Sequence, residues 1–167
     1  MQPVQSVAII GAGNMGSGIA QKTAQEEFDV QMVDREAQWV ERGQSIIADF
    51  LSEAVERRIF SPQQVADIQG RITGVIGTEN TSPDTDLVIE AVFEDFDIKT
   101  AVFNALNEVC GDKTILASNT SSLSVNDLSA ASGRPDRFVG LHFFYHPAKN
   151  RLVEVIPGDD TSAETIA

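Results

Sequence analysis

Positive charge is scarce in this sequence. Twelve lysines and arginines stand against 25 acidic residues, a formal net charge of −13 over 167 residues. Without a basic stripe to neutralise phosphates, a general nucleic-acid binder is excluded, and an anionic ligand must find its positive charge locally. Cysteine is nearly absent too. Cys110 is the only one, so no internal disulfide can form, a usage that fits a reducing cytoplasm. It stands in E-V-C-G at a helix end, where a buried structural thiol is expected and not a nucleophile. No apolar run approaches the roughly 18 residues that a membrane span needs. The run 7–10 is too short for a signal peptide and lacks a basic flank, so no membrane association is expected. No metal site is assigned. Histidine is limited to His142 and His146, both inside one segment, G-L-H-F-F-Y-H-P-A-K-N-R-L-V-E-V-I.

What is present is ordinary globular composition, 42% hydrophobic and 22% charged, in a length that suits one well-buried core. Patterning predicts a strand over 6–10, a helix over 14–27 and a strand over 28–33 ending at Asp34. A long amphipathic helix follows over 37–59, with Trp39, Ile46, Ile47, Phe50, Leu51 and Val55 as its apolar face. Ser61-Pro62 reads as the cap and first residue of a short helix. Strands are expected over 71–76, 86–92 and 114–117, helices over 97–109 and 125–130, and closing strands over 138–144 and 152–156. The run 86–92 is almost wholly apolar and therefore central. Strands alternating with helices imply an α/β, Rossmann-type doubly wound sheet, mainly parallel, with helices on both faces. The last two strands lack an intervening helix and are free to form an antiparallel edge.

Gly11, Gly13 and Gly16 form G-x-G-x-x-G directly after a strand and at a helix start. The first glycine permits the tight turn, the second lets the backbone approach a pyrophosphate, and the third allows close helix–strand packing. Asp34, eighteen residues past Gly16, ends the second strand. A carboxylate there accepts from a ribose 2′-hydroxyl and repels a 2′-phosphate, which favours NAD over NADP. Arg35 beside it is able to pair with a 2′-phosphate and pulls the other way.

Five blocks narrow the chemistry. G-A-G-N-M-G-S-G-I-A (11–20), E-A-V-F-E-D (90–95), A-S-N-T-S-S-L (117–123), G-L-H-F-F (140–144) and L-V-E-V-I (152–156) stand in order over essentially the whole chain. Together they resemble the L-3-hydroxyacyl-CoA dehydrogenase family, with matching spacing. The resemblance implies an NAD cofactor, an acyl-CoA thioester substrate and a catalytic His142 paired with Glu154. It also implies that Ser121 and Asn119 line the reaction centre and face substrate. Cofactor contacts are implied for Gly11, Ala12, Gly13, Asn14, Met15, Gly16, Asp34, Arg35, Ala91, Val92, Glu94, Lys99, Asn119 and Tyr145. These residue types suit oxidation of a secondary alcohol. Histidine can take the hydroxyl proton near neutral pH, and a carboxylate on its other ring nitrogen fixes the tautomer.

The chain departs from the family in two places. Where H-F-F is typically followed by Asn-Pro, it has Tyr145-His146, with Pro147 one place later. The spacing from His142 to Glu154 is kept, so this is a substitution and not an insertion. The family also continues into an all-helical domain that supplies dimerisation and much of the acyl-CoA cleft. Residues 1–160 are therefore read as the NAD-binding domain and 161–167 as the start of a helix leading into an absent C-terminal domain. A homodimer is expected of the full-length enzyme, and NAD binding with little or no turnover of this chain alone. Arg57 and Arg58 are candidates for CoA phosphates. Two alternatives stay open: a stand-alone NAD-binding module without catalysis, and a related dehydrogenase for another hydroxy acid.

Overall fold

The computed structural model describes residues 3–167; residues 1 and 2, counted in the first unit above, lie outside them. Its elements are β1 (Ser6–Ile10), α1 (Asn14–Gln25), β2 (Asp29–Asp34), α2 (Ala37–Glu56), α3 (Pro62–Gly70), β3 (Ile72–Ile76), β4 (Leu87–Glu90), α4 (Phe96–Val109), β5 (Ile115–Ser118), α5 (Val125–Ala131), β6 (Phe138–Phe143), β7 (Val153–Pro157) and α6 (Ala163–Ile166). Seven strands form one sheet in the order β3-β2-β1-β4-β5-β6-β7. Every neighbouring pair is parallel except β6 with β7, which is antiparallel. The expected Rossmann-type architecture with an antiparallel edge is the one observed. The winding reverses between β1 and β4, so a crevice opens beyond the carboxyl ends of those strands.

Alternation along β1 divides the core. Val7 and Ile9 pack with Ile19 of α1, Ile47 and Leu51 of α2 and Ile68 of α3 on one face. Ala8 and Ile10 pack with Phe103 and Leu106 of α4 and Leu128 of α5 on the other. Among the described residues no helix is long and apolar enough to cross a membrane.

The differences from the patterning have local causes. The first helix stops at Gln25, two residues short, because Glu27 turns into the left-handed region at φ 72°. The second ends at Glu56 and not at 59, before Arg58 at φ 59°. Its buried stripe is Val40, Gly43, Ile47, Leu51 and Ala54; Trp39, Ile46, Phe50 and Val55 are only half-buried. Small residues set this face. A Cβ on Gly43 would stand 2.8 Å from the carbonyl oxygen of Ala12, so α2 seats against the glycine turn only because Gly43 has none. The fourth strand is shorter than 86–92 and ends on a buried glutamate, Glu90.

Candidate active site

The site collects at the carboxyl edge of the sheet. Gly11 leaves β1 at φ 105°, where a side chain would strain the backbone and run into Ala91. A Cβ on Gly16 would collide with the carbonyl oxygen of Gly11, so helix and turn touch directly. Gly13 is the opposite case: a Cβ there meets nothing within 4 Å, leaving open space in front of the helix start. Gly13 caps α1 without a side chain, and the first turn of the helix has no acidic residue. Its first N–H groups and the positive end of its dipole are thus presented to that space. The donor set fits a dinucleotide pyrophosphate. Ala91 and Val92 converge on the same turn, with Ala91 N donating to Ile10 O at 2.8 Å.

Asp34, at the end of β2, is fixed against this turn. Its carboxylate accepts from Ala12 N and Arg35 N, each at 2.8 Å. Arg35 itself turns to Glu36 at 3.4 Å. Replacing Asp34 by serine should cost NADH affinity and raise the ratio of NADPH to NADH binding about tenfold, read by calorimetry with both nucleotides.

Between β4 and β5 lies a buried charged network. Lys99 of α4, 1% exposed, places its Nζ 2.6 Å from Glu90 Oε1 and 3.2 Å from Glu94 Oε2. Glu90, 0% exposed, also accepts from Val92 N at 2.7 Å and from the Ser118 hydroxyl at 2.6 Å. Glu94 accepts from the Thr120 hydroxyl, Ser121 N and Ser122 N. Partial burial pushes the Glu94 carboxyl up, but the Thr120 hydroxyl, the Ser121 amide and the Lys99 ammonium outweigh it and bring it from 4.5 to about 2. A depressed carboxyl stabilises the fold in full above its unfolded value and loses that contribution as it protonates. Between pH 4.5 and about 2, the thermal midpoint should therefore fall less steeply for Glu94→Gln than for the natural sequence.

The β6–β7 pair carries the histidine. Antiparallel register sets His142 opposite Glu154, and His142 Nδ1 lies 2.7 Å from Glu154 Oε2. A carboxylate there favours the tautomer with the proton on Nδ1 and the free lone pair on Nε2. The ring is 21% exposed and packs against Phe144 at 4.6 Å. Asn119, just past β5, accepts from Phe143 N at 2.8 Å through Oδ1, which leaves its amide nitrogen as the donor end. Ser121 is exposed on the same turn, facing a cavity of about 330 Å³ bounded by Ile156 and Pro157.

His146 is a different kind of residue. It stacks on Phe50 of α2 at 4.3 Å and accepts from Ala148 N through Nδ1. Burial, then the neighbouring Lys149 ammonium, pushes its pKa down. Tyr145 beside it is exposed and shares a cavity of about 330 Å³ with Asn14, Phe50 and His146. Cys110 is buried, which raises its thiol despite the Arg134 charge, in keeping with a structural role. Arg57 pairs with Glu53 on the surface of α2, and Arg58 is exposed.

Pattern reading singled out neither Glu90, Ser118 nor Thr120. The signal was present: a glutamate closing the apolar run L-V-I-E, nine residues before a lysine.

A family model described as the NAD binding domain of 3-hydroxyacyl-CoA dehydrogenase matches residues 6–167. A probable 3-hydroxybutyryl-CoA dehydrogenase of Deinococcus radiodurans is 41% identical over 94% of this chain and 56% of its own length. The 3-hydroxybutyryl-CoA dehydrogenase of Clostridioides difficile is 38% identical over 95% of this chain and 56% of that protein. The crystal structure of (S)-3-hydroxybutyryl-CoA dehydrogenase from Ralstonia eutropha superposes with a TM-score of 0.94 at 37% identity, covering 98% of this chain and 57% of that one. The chain spans a little over half the length of each.

Proposed function

The chain belongs to the 3-hydroxyacyl-CoA dehydrogenase family, as its NAD-binding domain, and from that premise we propose that its protein oxidises an L-3-hydroxyacyl-CoA to the 3-ketoacyl-CoA. The observation that carries this is the His142–Glu154 pair at 2.7 Å across β6 and β7, with Phe143 N, one residue on, donating to Asn119 Oδ1 at 2.8 Å. NAD supplies the hydride acceptor. His142 Nε2 takes the hydroxyl proton as base, and Glu154 stabilises the imidazolium that forms. The Asn119 amide and the Ser121 hydroxyl donate to the substrate oxygen and hold it against His142. Asp34 receives the adenosine ribose, and the start of α1 receives the pyrophosphate.

The finer assignments extend the same reading. The cofactor set comprises the glycine turn 11–16, Asp34, Arg35, Ala91, Val92, Glu94, Lys99, Asn119 and Tyr145. Residues 1–160 form the domain, and 161–167 lead towards further helical structure. Exposed Leu152, Val153, Val155 and Ile156 along β7 offer an apolar surface for that structure, through which a homodimer would assemble. The lone buried cysteine supports a reducing cytoplasm. Arg57 and Arg58 remain candidates for CoA phosphates.

The test is oxidation of NADH by acetoacetyl-CoA in the protein at its natural full length. Turnover with acetoacetyl-CoA and none with free acetoacetate supports the reading; NADH binding without turnover of either refutes it.

A further inference from the structure

The segment between β6 and β7 folds around one residue, His146. Its carbonyl oxygen accepts from Lys149 N and Asn150 N at 2.9 Å, and its Nδ1 accepts from Ala148 N at 3.2 Å. The ring lies against α2, stacked on Phe50 with centroids 4.3 Å apart and planes 17° apart. Lys149 adds its ammonium over the same Phe50 ring, 4.5 Å from the centroid. The segment rests on α1 as well. A Cβ on Gly18 would stand 3.0 Å from Pro147 and 3.2 Å from His146 Cε1, so buried Pro147 seats directly on the helix.

These seats aim the segment at the cofactor. Gly18 lies one turn past Asn14 on the same face of α1, and Asn14 opens the helix whose first N–H groups face the pyrophosphate. Asn14, Phe50, His146 and exposed Tyr145 together wall a cavity of about 330 Å³. The segment leaves β6, which lies across the β1–β4 reversal from β2 and its Asp34. With the adenosine ribose on Asp34, a dinucleotide crossing the crevice brings its nicotinamide half towards this segment.

We infer that His146 is a positioning residue: its stack on Phe50 fastens the 145–150 segment to α1 and α2 and fixes Tyr145 beside the nicotinamide half of the dinucleotide. His146 acts through the segment and does not touch the dinucleotide itself. Tyr145-His146 stands where the family typically has Asn-Pro, and in this chain Phe50 of α2 gives the ring at position 146 its partner. The fastening rests on the contacts alone; that it serves the nicotinamide rests on the proposed placement of the dinucleotide.

The test uses His146→Ala, Phe50→Ala, their double variant and His146→Phe, which keeps a ring able to stack. In the 167-residue chain, backbone amide exchange of Ala148, Lys149 and Asn150 should accelerate about tenfold or more in His146→Ala. Calorimetry should show NADH affinity about fivefold to tenfold lower in either alanine variant and no lower in the double one. ADP, which lacks the nicotinamide half, should bind every variant within about twofold of the natural sequence. His146→Phe should recover most of the NADH affinity. Additive losses in the double variant would make His146 a cofactor contact in its own right and overturn the inference. Faster exchange with unchanged NADH affinity, or equal losses for NADH and ADP, would overturn the positioning role. Unchanged exchange would overturn the fastening. Binding of neither nucleotide by the natural sequence would refute the dinucleotide site, and amide exchange would still decide the fastening.

Discussion

Replacing His142 by glutamine should lower kcat by about 10²–10⁴-fold in the protein at its natural length while leaving NADH binding intact. Glutamine can still bond to Glu154, so the β6–β7 pair keeps its geometry, but it has no nitrogen able to take a proton from an alcohol. The loss should fall on kcat and kcat/KM together, the pattern of an interaction made only in the transition state. Glu154→Gln should do less, because a base remains at Nε2 and only its tautomer and the stabilisation of the imidazolium are impaired. Steady-state kinetics with calorimetric NADH titrations separate the two effects. Equal activity in His142→Gln would remove His142 from the chemistry.

Replacing Lys99 by methionine should destabilise the domain by about 3–5 kcal/mol, because Glu90 would be left as a buried charge without its partner. That is a large share of the roughly 5–15 kcal/mol by which a domain is stable, so the variant should unfold at much lower urea. The exposed Lys22–Glu26 pair is the internal control, where Lys22→Met should change stability by about 0–1 kcal/mol. Glu90→Gln combined with Lys99→Met should recover part of the loss, since no unpaired charge then remains. Urea unfolding of Lys99→Met, Glu90→Gln, their double variant and Lys22→Met beside the natural sequence checks the series; additive losses in the double variant would deny that Glu90 and Lys99 act as a pair.

The parts of the fold that sequence made legible are those fixed by local rules. Three glycines at fixed spacing between a strand and a helix dictate the turn, because Gly11 needs its positive φ and Gly16 its missing Cβ. The antiparallel edge was legible because nothing between Phe143 and Val153 is long enough for a crossover helix. The buried face of α2 was legible only in part: Ile47 and Leu51 are buried as expected, but the face also runs through Gly43, at close approach to Ala12, and through Ala54, and hydrophobicity registers neither. The Lys99 network was not legible. Each of its members looks like a surface charge until α4 packs across β4 and β5 and shuts water out. His142 and Glu154 became legible through the resemblance, but their contact is a product of register. A one-residue slip of β7 would turn Glu154 to the other face of the sheet.

The most direct measurement follows the hydrogen itself. L-3-hydroxybutyryl-CoA carrying deuterium at C3 is incubated with NAD and the full-length protein, and the reduced nucleotide is read by NMR. Deuterium on C4 of the nicotinamide, with the D enantiomer left unreacted, is the predicted result. Deuterium lost to water, or left on C3 while NAD stays bound, would contradict it.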